Sequence, residues 1–268
     1  MSKIRVSYSK TGKAKYISHL DLITVMQRAF LRAGFRLKYS EGFNPHPSFS
    51  VALPLPVGCG SLCELMDIGL DGISQTGKPD IGFDGVEQTG KPDIGFDVIS
   101  QTCTIADRLN KSLPDGLHII DAYEAERKFK EISWIRIGGI LYYDRGAAPD
   151  MADRLEELLS RESIVIVKKT KRGASEIDVA PYIKDARTFD SGVASTIESG
   201  VASTIESVDA STKDSIDAIK MTAMISAQNP TINTDDVMSI INGAVRLKPD
   251  HSEFTRLEVF DGSLKIFK

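Results

Sequence analysis

Two histidines near the start of the chain, His19 and His46, carry the side chain best suited to proton transfer near neutral pH. If strand pairing brings them together, Asp21 and Glu41 join them, and two imidazoles and two carboxylates share one cleft. Such a set suits acid–base cleavage of a phosphodiester by His19 and His46, a metal site, or plain substrate binding. A structural role stays open as well, in which His19 bonds to the backbone and His46 shapes a turn. We expect binding rather than catalysis, without a metal or a cofactor.

The loop that carries His46 reads YSEGFNPHP at residues 39–47 and is stiffer than a plain connection needs to be. Its two prolines fix φ and lower the entropy of the unfolded chain, while Gly42 allows a backbone geometry that other residues resist. The loop is therefore predicted to present Phe43 and His46 at fixed positions, which is a common way to build a binding site. An exposed Phe43 would suit base stacking, whereas a buried one would anchor the loop.

Charge is distributed unevenly along the chain. Residues 1–60 carry nine basic and two acidic residues, a balance of +7, although the whole protein has a net charge of −4. Such asymmetry is typical of a surface for an anionic ligand, and equally of a basic face that is solvated or docks on the acidic part of the chain. The candidate binding residues are Lys13, Lys15, Tyr16, Asp21, Arg28, Arg32, Arg36, Tyr39, Glu41, Phe43, Asn44 and His46. The basic members would contact phosphates, and Tyr16, Phe43 and His46 would contact bases.

The overall composition predicts a globular protein that stays out of the membrane. The chain is 41% hydrophobic and 26% charged, and it has no apolar run as long as a membrane span. Its first residues lack the core of a signal peptide. Three cysteines, an odd number, favour a reducing compartment over a disulfide framework. These features predict a cytoplasmic protein.

Hydrophobic periodicity predicts a framework that would position the site. Strand, helix, strand, strand, helix and strand follow one another in the first half, with Ser18 as the N-cap of the first helix and Gly34 just beyond its end. The second half repeats this order. We therefore predict an α+β protein with two tandem ferredoxin-like (split βαβ) domains, residues 1–127 and 128–268.

Two segments are internally duplicated and carry no predicted function. The string QTGKPDIGFD occurs twice within 75–97, and SGVASTIES occurs twice within 191–207. Two copies are too few for a solenoid, and the units are too short for a core of their own.

Four strings in the first sixty residues resemble one known family. KYISHLDL at 15–22, AGF at 33–35, YSEGFNPHP at 39–47 and ALPLPVG at 52–58 are similar to the radical-SAM-linked protein family, a domain of unknown function fused to or encoded beside a radical SAM protein. The resemblance is dense over residues 1–70 and moderate to about residue 125. It implies a bacterial cytoplasmic accessory protein that works with a radical SAM enzyme.

We expect an accessory protein that binds RNA or presents a substrate to a radical SAM enzyme, in RNA modification. One alternative is a ribonuclease or RNA-modifying enzyme that depends on His19 and His46. Tandem ferredoxin-like domains with a histidine near the first helix are similar to CRISPR repeat-processing endonucleases, although residues 246–267 are not rich in glycine as a loop of those enzymes is. The other alternative is a protein-interaction subunit without nucleic-acid contact. The expected partners are thus a radical SAM protein and RNA, with no membrane.

Overall fold

The chain folds as a mixed α+β protein with many strands and few helices, which confirms the predicted fold class. The duplicated stretches at 75–97 and 191–207 lie outside the part of the chain described here. No helix among the described residues is long and apolar enough to cross a membrane. The computed structural model describes residues 3–73, 105–144, 146–170, 173–190, 217–244 and 248–268.

The chain divides into two compact units. Residues 58–62 belong to the second unit, and in this segment Gly60 pairs in parallel with Thr255. The predicted domain ranges 1–127 and 128–268 stay a prediction. The first unit comprises Met1–Val57 and Cys63–Glu126, and the second comprises Gly58–Leu62 and Arg127–Lys268.

The first unit is built on a sheet with the strand order β3-β4-β1-β6, in which the β3–β4 and β1–β6 pairs are antiparallel. A separate antiparallel ribbon joins β2 to β5. The strand β3 ends at Val51, and the proline-rich residues 54–57 after it lie in no strand. The strands are β1 (Ile4–Lys10), β2 (Phe35–Leu37), β3 (Phe49–Val51), β4 (Gly60–Ile68), β5 (Leu70–Ile73) and β6 (Leu117–Glu124), and the helices are a 3-10 turn at Gly12–Tyr16, α1 (His19–Arg32) and α2 (105–110).

Helix α1 begins and ends where its sequence predicts. Ser18 is the N-cap, and its Oγ accepts a hydrogen bond from the Asp21 backbone N at 3.2 Å while donating to the Asp21 carboxylate at 2.7 Å. The helix ends at Arg32, two residues before Gly34. One face packs on the sheet and contributes the buried side chains Leu22, Met26, Ala29 and Phe30. The candidate functional site lies on the opposite, polar face of α1.

The first unit also buries an ion pair. Arg5 of β1 is fully buried and donates to Asp67 of β4 twice, from Nε at 2.7 Å and from Nη2 at 3.1 Å. Paired N–H···O bonds of this kind compensate the desolvation of both charges. Because residues 5 and 67 are far apart in the sequence, the pair ties β1 to β4.

The second unit is built around a sheet with the order β10-β11-β7-β12, in which neighbouring strands are antiparallel. Near the end of the chain, Phe260 and Ile266 form a single antiparallel bridge. Asn233 caps the last helix and accepts a hydrogen bond from the Asp236 backbone N. The strands are β7 (Ile132–Tyr143), β8 (Val165–Thr170), β9 (Gly173–Asp178), β10 (Ile183–Asp190), β11 (Asp217–Ser226) and β12 (His251–Asp261), and the helices are α3 (Met151–Leu159), α4 (Thr234–Gly243) and 3-10 turns at Phe129–Glu131 and Ala180–Tyr182.

Candidate functional site

A cleft of about 370 Å³ lies in the first unit, between the polar face of α1 and the segment that runs from the end of the 39–47 loop into β3. Both predicted catalytic histidines line it. One wall comes from the first turns of the helix and the other from residues beside the loop. The lining residues are His19, Leu20, Ile23, Thr24, Gln27, His46, Pro47, Phe49 and Val51.

The loop that supplies His46 is closed at its base by backbone hydrogen bonds. Tyr39 and Pro47 form an antiparallel bridge. Ser40 N donates to His46 O at 2.8 Å, and His46 N donates to Ser40 Oγ at 3.0 Å. At the tip, Gly42 adopts a φ of +129°, which side chains of L-residues rarely allow, and an added Cβ would meet nothing within 4 Å. The base of the loop is therefore fixed, while its tip stands clear of the fold.

The helical wall follows the spacing of one α-helix face. Leu20, Ile23, Thr24 and Gln27 are three or four residues apart and so project to the same side. Thr24 Oγ1 donates to the Leu20 carbonyl oxygen at 3.0 Å. Gln27 Nε2 donates to the Tyr39 hydroxyl oxygen at 3.2 Å, which links the helix to the base of the loop. The hydrogen bond to Tyr39 thus holds the side-chain amide of Gln27 in one orientation at the edge of the cleft.

His19 and His46 come together at the cleft, but the two predicted carboxylates do not join them. Asp21 is held by Ser18 at the start of α1, and Glu41 is exposed in the loop; neither lines the cleft. Across the described ranges, no three His, Cys, Asp or Glu side chains converge as a metal site would require. Both imidazoles are exposed to solvent, where they can exchange protons or bind a ligand's phosphate.

Aromatic and aliphatic side chains are exposed on the elements that form the cleft and on the 3-10 turn before α1. Phe43 at the loop tip is fully exposed, so the anchoring role that its sequence left open does not apply. Leu20, which directly follows His19, is 75% exposed, and Tyr16, three residues before His19, is 61% exposed. Tyr39 is partly exposed at the base of the loop. Isolated exposed apolar residues need no explanation, but a group beside a cleft is typical of a binding surface.

The predicted basic residues divide between the two ends of α1. Lys13 and Lys15 lie in the 3-10 turn before the helix, and Lys15 Nζ sits 5.3 Å from the centroid of the Tyr16 ring. Arg28 is exposed one turn beyond Thr24. The helix is about 20 Å long at 1.5 Å per residue, so Arg32 lies far from His19.

Arg32 and Arg36, two of the residues predicted to contact phosphates, do not line the cleft. Arg32 Nη2 donates to the Ser112 carbonyl oxygen at 2.9 Å, which gives this side chain a structural partner. Arg36 lies on the exposed side of β2, between the buried Phe35 and Leu37. Asn44 is exposed in the loop near Phe43. None of these residues lines the cleft.

Sequence reasoning missed the side chains that form the walls and floor of the cleft. Ile23, Thr24 and Gln27 follow His19 at helical spacing, and that periodicity is the signal that would have placed them beside it. Phe49 and Val51 carry no comparable signal. They are half-buried on β3, and only the pairing of β3 with β4 turns them toward the helix.

The chain matches the model of a known protein family. The model of the DUF2344 family, described as an uncharacterized protein conserved in bacteria, matches residues 3–80 and 92–208, more than half of the chain. Curated proteins gave no match. The matched range 3–80 contains every residue of the cleft.

Proposed function

We propose that this chain, which belongs to the DUF2344 family of bacterial proteins, is an accessory RNA-binding protein that presents a single-stranded RNA to a modifying enzyme. The observation that carries the proposal is the cleft between α1 and the 39–47 loop, with His19 and His46 at its walls and Phe43 exposed on the loop. Single-stranded RNA is bound by unstacking its bases onto aromatic side chains and pairing its phosphates with cations. The first unit offers both.

The exposed rings supply the stacking component. Phe43 and Tyr16 present large apolar faces to solvent, which costs hydration free energy unless a ligand covers them. A base stacked on such a ring is held by about 1–3 kcal/mol and needs no particular sequence. The loop is closed at its base by the Ser40–His46 hydrogen bonds, so little conformational entropy is lost when a ligand binds.

Lys13, Lys15 and Arg28 supply the electrostatic component. Lys13 and Arg28 are exposed and Lys15 partly so; the two lysines lie in the 3-10 turn before α1, and Arg28 lies in the third turn of the helix. Three phosphate contacts give a salt dependence of about −2 in log affinity against log salt for a single strand. We therefore expect a rise from 50 to 200 mM salt to weaken RNA binding about 20-fold.

The test is fluorescence anisotropy of a labelled single-stranded RNA at both salt concentrations, with wild-type protein and Arg28→Glu. Arg161→Glu is the matched control, because Arg161 is equally exposed and belongs to the second unit. We expect Arg28→Glu to lower both the affinity and the salt slope, and Arg161→Glu to change neither. Binding that is absent at 50 mM salt, or equal losses in the two variants, would contradict the proposal.

A second candidate, a metal-independent ribonuclease, is favoured by the presence of both imidazoles in one cleft. One imidazole would take the proton of the RNA 2′-hydroxyl as it attacks the adjacent phosphorus, and the other would give a proton to the departing 5′-oxygen. This candidate predicts that His46→Ala abolishes cleavage of a labelled RNA and leaves its binding nearly intact. Equal loss of binding and cleavage would indicate that His46 binds the RNA and does not transfer a proton during cleavage.

We propose a radical SAM protein as the partner, supported by the resemblance of residues 15–22 and 39–58 to radical-SAM-linked proteins. Co-elution of the purified chain with a purified radical SAM protein tests this, with and without RNA. Co-elution without RNA that Phe43→Ala disrupts would favour the protein-interaction alternative, because the exposed ring would then bind the enzyme. A cytoplasmic location, supported by the odd cysteine count, belongs to the same proposal.

We also propose a ferredoxin-like, split βαβ fold for each unit. The orders β3-β4-β1-β6 and β10-β11-β7-β12 support it, since in both the first and last strands of the motif are neighbours. The antiparallel pairs within each order agree with that topology. Folds of this kind serve many functions, so this proposal is independent of RNA binding.

A further inference from the structure

We infer that the cleft between α1 and the 39–47 loop holds one unstacked nucleobase of the RNA, and that Gln27 and Thr24 select adenine. The inference rests on the proposed RNA binding and adds to it a base identity and two residues that read it. Three features of the cleft lead to it: its size, its apolar walls and the hydrogen-bonding groups that Thr24 and Gln27 leave available.

The size and walls suit a flat heteroaromatic ring. A volume of about 370 Å³ lies at the lower end of the range for small-molecule sites, which is roughly 300–1,000 Å³. Ile23 lines it from the helix, and Pro47, Phe49 and Val51 line it from the loop and β3. A base that leaves its stack exposes both faces to water, and these apolar side chains replace the neighbours it has lost.

Gln27 offers an acceptor and a donor side by side. Its amide makes one described hydrogen bond, from Nε2 to the Tyr39 hydroxyl oxygen at 3.2 Å. The second N–H of Nε2 and the Oε1 lone pairs therefore remain for a ligand. A glutamine amide in this state matches adenine, because Oε1 accepts from the N6 amino group while Nε2 donates to N7. The Tyr39 hydroxyl fixes which way the amide plane lies.

Thr24 strengthens the preference for a base that donates. Its hydroxyl hydrogen is used by the Leu20 carbonyl oxygen at 3.0 Å, so Oγ1 faces a ligand as an acceptor only. Adenine presents an exocyclic amine with two hydrogens, whereas uracil presents two carbonyl oxygens, which an acceptor repels, and only one N–H between them. His19 and His46 then lie along the same cleft as donors for the ribose or phosphate of the held nucleotide.

The experiment measures anisotropy of labelled ten-nucleotide oligouridine with and without one central adenosine. We expect the single adenosine to tighten binding by the wild-type protein about 10-fold, which corresponds to one bidentate base contact. Gln27→Ala should remove this preference and keep the salt-sensitive binding of both RNAs. Thr24→Val, which keeps the side-chain shape, should reduce the preference to a smaller extent. Asn242→Ala is the matched control, since Asn242 is exposed on α4 of the second unit and should change nothing.

The outcomes separate this inference from the proposed function. Salt-sensitive binding with equal affinity for both RNAs, or a preference for adenosine that survives in both Gln27→Ala and Thr24→Val, would overturn the base-reading role and leave RNA binding standing. Failure of either RNA to bind at 50 mM salt would overturn the proposed function itself. Thermal melts of each variant, read by circular dichroism, establish that a lost preference comes from a folded protein.

Discussion

Replacing Phe43 by alanine should weaken RNA binding and leave the stability of the fold unchanged. The Phe43 side chain is fully exposed at the tip of the loop, beside Gly42, whose surroundings are open. Its removal takes away no buried apolar surface, so the free energy of unfolding should change by less than about 0.5 kcal/mol. If one base stacks on the ring, the loss is about 1–3 kcal/mol of binding free energy. That corresponds to a dissociation constant about 5- to 150-fold higher.

Phe49→Ala provides a comparison in which the stability of the fold should change. Phe49 is half-buried on β3, where its ring centroid lies 6.0 Å from that of Phe30 and its backbone pairs with Ile68. Truncation removes packing from the core of the first unit and should lower the free energy of unfolding by about 2 kcal/mol. Of these two phenylalanines, therefore, only Phe49 should matter to the fold.

Two measurements on each variant test these predictions: urea unfolding gives the stability of the fold, and fluorescence anisotropy gives the affinity for RNA. A Phe43→Ala variant whose free energy of unfolding falls by more than about 1 kcal/mol would contradict the exposed position of the ring, because a fully exposed ring has no such contribution to lose. Stacking of a base on this ring is refuted if Phe43→Ala binds RNA as tightly as the wild type. Arg161→Glu again serves as the surface control.

Three further predictions concern stability. Asp67→Asn should cost about 3–5 kcal/mol in urea unfolding, because it leaves the charge of Arg5 buried without its carboxylate; a cost below 1 kcal/mol would mean that the pair is not buried. Gly116→Ala should cost at least about 2 kcal/mol, since φ is +86° and the new Cβ would lie 2.4 Å from the Thr11 carbonyl oxygen; an unchanged melting temperature would contradict this contact. Burial raises the pKa of Tyr143 to about 12, so the folded state holds its proton more tightly than the unfolded state does. The stability that the protonated Tyr143 contributes is therefore intact below pH 10. Between pH 10 and 12 the free energy of unfolding should fall by about 1.4 kcal/mol per pH unit. In Tyr143→Phe the free energy of unfolding should fall less steeply over this pH range, and identical pH profiles for the two proteins would refute the assignment.

The sequence was most informative where the determinants are local. Ser18 and Asp21 cap α1 through side chains within one turn, so their types alone indicated the start of the helix. The α+β class followed from alternating and helical periodicities, each of which is a property of a short window. The stiffness of the 39–47 loop could likewise be predicted from its prolines and glycine.

Only the tertiary structure decided which residues meet. Pairing of β3 with β4 brings Phe49 and Val51 opposite Gln27 of α1, and no local pattern encodes that register. The same holds for Arg5 and Asp67, whose burial depends on two strands becoming neighbours. A sequence window fixes backbone conformation through near-neighbour sterics and hydrogen bonds, whereas a cleft depends on long-range packing that sums many small contacts. The chain thus determined by itself that a stiff loop and a capped helix exist, and the packing of β3 against α1 decided that Gln27, His19 and His46 share one cleft.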